Sequence, residues 1–163
     1  MRMELIQPFI NSADAVLAQA LNCTTHIGDL SMEEHPYERK GLAARVAITG
    51  EIEGRVIVDV EPETALRVTK QLAGAELDAS DDLVRETVCE LANLVIGNAV
   101  TTRNDRGFQF KVHPPEFHSS HEGLKGSEDT EAIVLRFETD AGQVNVNIAM
   151  QYRSRRKEDA SRR

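Results

Sequence analysis

The stretch DDLVRETVCELANLVIGNAVTT, residues 81–102, reads as one long helix set between two groups of strands. Successive helical residues turn by about 100°, so Glu90 and Asn93 sit about 60° apart, with Glu86 and Gly97 in the same stripe. Val84, Val88, Leu91, Ala92, Val95 and Ala99 take the other side, which must be buried. A carboxylate and a carboxamide at i and i+3, beside a position without a side chain, make a small polar platform that a partner can approach closely. The solvated face of any amphipathic helix is polar, so spacing alone gives the pair no role. Two details argue for contact. Asn93 and Asn98 are poor helix formers, and Gly97 costs about 0.8–1 kcal/mol relative to alanine in a helix interior. For Gly97, close helix packing is the structural alternative.

Outward from that helix, the N-terminal side begins with an amphipathic helix over about 4–21. Ile6, Phe9, Ile10, Ala13, Val16, Leu17, Ala20 and Leu21 keep the three-four spacing, and Pro8 falls in the first turns, where proline is tolerated. Residues 24–29 (TTHIGD) suit a short strand, and 31–41 (SMEEHPYERKG) a polar loop. Strands follow at about 42–49 and 54–60, with Val56, Val58 and Val60 facing one way. Glu61-Pro62 opens another helix, with Ala65, Leu66, Val68, Leu72 and Ala73 expected on its buried side and Gly74 as its stop. C-terminal to the long helix the pattern is β. Phe108, Phe110 and Val112 alternate, then Ile133, Leu135 and Phe137, then Val144, Val146, Ile148 and Met150. Asp140-Ala141-Gly142 is a hairpin turn, and 114–129 is expected to be a polar loop.

Strands in adjacent antiparallel groups, not alternating one-for-one with helices, indicate an α+β fold. Its sheet is mostly antiparallel, with one side buried under the long amphipathic helices. The expected organisation is a single domain over 1–152 followed by a basic, disordered tail over 153–163. The chain carries a net charge of −8, and the tail contributes +4 (six basic residues, two acidic), which leaves −12 on residues 1–152. An acidic body argues against nucleic-acid binding and suits a basic or metal-containing protein partner. No apolar run is long enough for a membrane span, and Cys23 and Cys89 read as small buried residues, which together suggest a reducing, cytoplasmic setting.

The segment CELANLVIGNA (89–99) resembles the signature helix of the CheX type within the CheC/CheX/FliY family of chemotaxis phosphatases. The family pattern is E-x-x-N, then a small glycine-bearing segment and a second asparagine. IQPFINSADAVL (6–17) is similar to the family's first helix, and residues 48–74 resemble its hairpin and following helix. One E-x-x-N site in such a context fits the CheX type; typical CheC carries two. The resemblance implies hydrolysis of the aspartyl phosphate on a CheY-like response-regulator receiver. Asn93 would orient the attacking water, and Glu90 would pair with the receiver's active-site lysine. Glu86 and Gly97 would flank the docking surface. No cofactor is expected on this chain; Mg²⁺ is expected in the receiver. Asn98 lies about 140° from Asn93 on the turn count and reads as a structural contact or helix-end group.

Other chemistries are weaker. His113, His118, His121 and Glu122 lack a fixed fourth ligand and helical spacing, so no metal is expected. There is neither a phosphate-cradling glycine loop nor a GxSxG nucleophile, and Ser119 and Ser120 beside His118 lack an acid and an oxyanion site. The non-enzymatic alternative is an adaptor that docks a receiver or a flagellar-motor protein without speeding hydrolysis. Family likeness also suggests a homodimer joined through edge strands, with 143–152 as the expected edge.

Overall fold

The computed structural model describes residues 3–33, 41–74, 81–104, 110–118 and 131–152. Among these, three helices accompany seven strands in one antiparallel sheet. The helices are α1 (Met3–Leu21), α2 (Pro62–Ala73) and α3 (Asp81–Asn104). The strands are β1 (His26–Glu33), β2 (Leu42–Gly50), β3 (Ile52–Val60), β4 (Phe110–Val112), β5 (Glu116–His118), β6 (Ala132–Thr139) and β7 (Gly142–Tyr152). They run in the order β1-β6-β7-β3-β2-β4, with β5 also paired to β2.

The expected α+β architecture and helix-covered sheet face are both present. Leu5, Ile6, Phe9, Ile10, Ala13, Val16, Leu17 and Leu21 of α1 are buried, and Pro8 is tolerated within that helix. They share one core with Val84, Val88, Leu91, Ala92, Val95 and Ala99 of α3 and with the alternate residues Val56, Val58, Val60, Val144, Val146 and Ile148. Pro62 starts α2, where the Ala65 amide donates to the Glu61 carbonyl at 2.8 Å. Gly74 ends it with φ +104°, a backbone that side chains disfavour. The Asp140-Ala141 turn joins β6 to β7 as the sequence indicates.

Five expectations need correction. First, β7 is not an edge: it lies between β6 and β3, paired along its whole length. Its apolar alternation signals burial, and the most buried strand is a central one. Second, β1 runs on through Ser31, Met32 and Glu33, residues assigned above to a loop, because β6 supplies a partner that a polar local sequence does not reveal. Third, the expected loop 114–129 contains a strand, since Glu116, Phe117 and His118 pair with Arg45, Ala44 and Ala43. Three residues are too few for alternation to be read. Fourth, α2 buries Thr64, Ala65, Val68 and Thr69, while Leu66, Leu72 and Ala73 are exposed. Leu72 is in phase with Ala65 and Val68 but sits in the last turn, and phase alone supplies no neighbour. Fifth, Cys23 and Cys89 are only half-buried, as free thiols.

The sheet is also buried on both sides at its centre. Arg55, Ile57 and Asp59 of β3, with Asn145 and Asn147 of β7, point away from the helices yet are buried. Around Ile57, Arg55 donates to Asn147, and the Asp59 carboxylate accepts the Gly41 amide at 2.8 Å. Gly41 is required there, because a Cβ would stand 2.3 Å from the Val60 carbonyl oxygen.

The two ends of the sheet differ. β2 is covered by β4 and β5, which flank His113-Pro114-Pro115. Proline in that position blocks further pairing. At the other end β1 presents Ile27, Leu30 and Met32, opposite the core residues Phe137, Leu135 and Ile133 and therefore on the helix side. They are 46%, 51% and 56% exposed. Phe108, the residues 34–40 and 119–129 (with His121 and Glu122), and the tail 153–163 lie outside the described residues.

Candidate functional site

The platform sits on α3, and its orientation is set by what lies beneath. α3 packs on α1, α2, β2 and β3. At mid-helix the Ser12 hydroxyl of α1 donates to the Val95 carbonyl at 2.6 Å, a buried bond two residues from Asn93. Near the N-terminal end, the Arg85 guanidinium lies 5.5 Å from the centroid of the Phe117 ring, tying α3 to β5. Arg45 in turn reaches Glu116 at 3.6 Å. With its apolar side committed to the core, α3 turns the opposite stripe to solvent.

Each residue singled out from sequence falls on that stripe. Glu86, Glu90 and Gly97 are exposed, and Asn93 is half-buried, so its amide is steadied yet reachable. Among the described residues neither Glu90 nor Asn93 is held by a hydrogen bond or ion pair. Asn98 is exposed and already engaged in a contact. A Cβ built on Gly97 would meet nothing within 4 Å. That removes helix packing as the reason for glycine and leaves an open notch one turn beyond the Glu90–Asn93 pair. Thr101 donates to the Gly97 carbonyl at 2.8 Å, which steadies the helix around the notch.

Cys89 adjoins the pair without joining it. Burial pushes its thiol above the usual range, and the Arg85 charge offsets part of that shift. A thiol held protonated is a poor nucleophile, which leaves the carboxylate and the amide as the chemical groups of the stripe. The histidines are not gathered. His113 Nε2 lies 3.0 Å from Thr49 Oγ1, and His118 Nε2 lies 3.8 Å from Glu116 Oε2. Among the described residues no three His, Cys, Asp or Glu side chains come together as a metal site. Sequence reasoning missed Leu94, a 44% exposed leucine beside Glu90 and Asn93. Its signal was a phase violation, since position 94 lies only about 40° from Glu90 on the turn count.

The fold and this helix define a CheC-like protein. A CheC-like superfamily protein from Shewanella sp. PV-4 shares the fold at a TM-score of 0.79 and 22% identity, over 93% of this chain and 99% of that one. The model of the chemotaxis phosphatase CheX family matches residues 42–138, a span that includes Glu86, Glu90, Asn93 and Gly97. The chain belongs to the CheX family. Among its relatives, the CheY-P phosphatase CheX of Thermotoga maritima is 27% identical over 116 residues, 71% of this chain and 75% of that protein. The structure of a CheX–CheY–BeF3–Mg+2 complex from Borrelia burgdorferi is similar at 32% identity and a TM-score of 0.68, covering 92% of this chain and 99% of that one.

The open notch makes a stability prediction. Gly97→Ala should stabilise the fold by about 1 kcal/mol, since alanine is the better helix former. In a thermal melt that is a rise of about 2–4 °C. A fall in melting temperature would mean that Gly97 packs against something.

Proposed function

We infer that this protein is a phosphatase of phosphorylated, CheY-like response-regulator receivers, hydrolysing their aspartyl phosphate. Its membership of the CheX family supports this, as do a relative named CheY-P phosphatase and a relative solved in complex with CheY. The observation that carries the reading is the solvent-facing pair Glu90 and Asn93 on α3, beside the open position at Gly97.

An acyl phosphate is already activated, and the receiver brings its own acidic pocket and Mg²⁺; this chain supplies no cofactor. What is missing is a water held in line with the phosphorus. Asn93 is suited to hold it. A carboxamide both donates and accepts hydrogen bonds, so it can grip a water without placing another negative charge beside the phosphoryl group. The water oxygen bonds to phosphorus as the bond to the aspartyl oxygen breaks, and aspartate departs as a carboxylate. Asn93 contributes orientation, not proton transfer. Glu90, one turn behind, pairs with the receiver's lysine and fixes the depth at which the amide enters. Glu86 borders the contact, and the missing side chain at Gly97 lets the receiver close on the helix.

The adaptor alternative shares the docking face but has no use for the amide. Pairing of two copies through β1 completes the reading. Among the described residues β1 ends the sheet, and its three exposed apolar side chains suit a homodimer that continues the sheet from copy to copy. A cytoplasmic location follows from a receiver as substrate, and no described helix is long and apolar enough to cross a membrane.

Phosphate release from a phosphorylated receiver tests the chemistry. Asn93→Ala should lower kcat by about a hundredfold or more with binding retained, whereas Glu90→Ala should raise KM by about tenfold and lower kcat as well. Wild-type turnover by Asn93→Ala would remove the water-positioning role, and release no faster with the wild-type protein than without it would favour the adaptor. Sedimentation tests the assembly: the wild-type protein should run as a dimer and Leu30→Lys as a monomer. A wild-type monomer at micromolar concentration would exclude the β1 pairing.

A further inference from the structure

Leu94 breaks the rule that the rest of α3 obeys. The large apolar side chains Val84, Val88, Leu91, Val95, Ile96 and Val100 are buried, but Leu94 is 44% exposed. On the turn count it lies about 100° from Asn93 and about 40° from Glu90, so that Glu90 separates it from the amide. Glu90 is its neighbour one turn back, and Gly97 and Asn98 one turn on. Because Gly97 presents open space, nothing on that side screens Leu94 from an approaching surface.

Charge changes at the same point. The exposed positions of the first half of α3 are Asp81, Asp82, Arg85, Glu86 and Glu90, with Arg85 held over the Phe117 ring, while from Asn93 through Thr101 they are Leu94, Gly97, Asn98 and Thr101, none of them charged. A phosphoryl group carries negative charge, so a carboxylate held against it is repelled and an uncharged surface is not. The acidic half of the helix therefore suits the receiver's active-site lysine, and the neutral half suits the phosphoryl group itself. Leu94 stands at the step between them.

We propose that Leu94 is a positioning residue for the receiver: an apolar anchor that buries itself against the receiver surface beside the phosphorylated pocket. There it shields the Glu90–lysine pair from bulk water and holds the acid-to-neutral step of α3 in register with the pocket. The proposal rests on the phosphatase reading and adds a determinant of partner binding to it. A desolvated side chain next to an ion pair strengthens that pair by removing competing water, which is how contacts around a hot spot act.

The test is steady-state phosphate release with a phosphorylated CheY-like receiver, read as separate kcat and KM values. Alanine is at least as good a helix former as leucine, so Leu94→Ala should melt with the wild-type protein. Its KM should rise by about tenfold, with kcat changed by less than about twofold. Leu94→Met should restore KM to near the wild-type value, and Leu94→Asp should raise it beyond that of Leu94→Ala. A wild-type KM for Leu94→Ala, or a melting temperature that falls along with the loss, overturns the anchor. Asn93→Ala, assayed alongside, separates the two claims. If the wild-type protein itself does not speed phosphate release, the phosphatase reading is wrong; if it does and Asn93→Ala is inactive while Leu94→Ala keeps a wild-type KM, only the anchor fails.

Discussion

The packing of one side of α3 against α1 and the sheet is the constraint on which the rest depends. Val84, Val88, Leu91, Ala92, Val95 and Ala99 enter the core together with the buried side of α1 and the alternate residues of β3 and β7. Their spacing leaves a single rotational setting of the helix. A turn by one residue position, about 100°, would bring a carboxylate or an asparagine inward and expose leucine and valine. An uncompensated buried carboxylate costs several kcal/mol, so that alternative is not populated. The core thereby fixes the direction in which Glu90 and Asn93 point, although it contains neither. The Ser12 bond to the Val95 carbonyl pins the same helix at mid-length.

A side chain that orients a water has to be held still, and α3 provides this better than a loop would. Asn93 is half-buried, which limits its rotamers while leaving the amide within reach of a partner. The open space at Gly97 keeps the approach clear. Among the described residues no metal-ligating cluster gathers on this stripe, and in the proposed reading the activated phosphoryl group is presented by another protein. A neutral amide suits that task where a carboxylate would repel the group.

Much of this was legible in the sequence because each signal was local and periodic. The three-four spacing of α1 and α3, the alternation in β3 and β7, the proline opening α2 and Gly74 closing it all match the structure. The platform was legible for the same reason, since one periodicity fixes both faces of a helix. What escaped depended on partners distant in sequence. Ser31 and Glu33 at the end of β1 are polar, and this segment becomes a strand only through β6. β5 is three residues long. Arg55, Asp59 and Asn147 alternate like a solvated face, yet they are buried, with Arg55 bonded to Asn147 and Asp59 to the Gly41 amide. From sequence β7 reads as an edge, because alternation reports which face is buried and says nothing about lateral neighbours. Leu94 departs from the phase of α3, yet a lone exposed leucine is common on protein surfaces, so the departure alone assigns it no role.

The central claim is that a neutral, bifunctional amide at position 93 holds the hydrolytic water. Asn93→Asp tests it most directly, because it keeps the size and position of the side chain while removing the donor and adding charge. The measurement is the decay of a phosphorylated receiver with stoichiometric wild-type or variant protein. The account predicts that the wild-type protein shortens the phosphoryl lifetime and that Asn93→Asp leaves it at the receiver's own value. Decay as fast with Asn93→Asp as with the wild-type protein would contradict it.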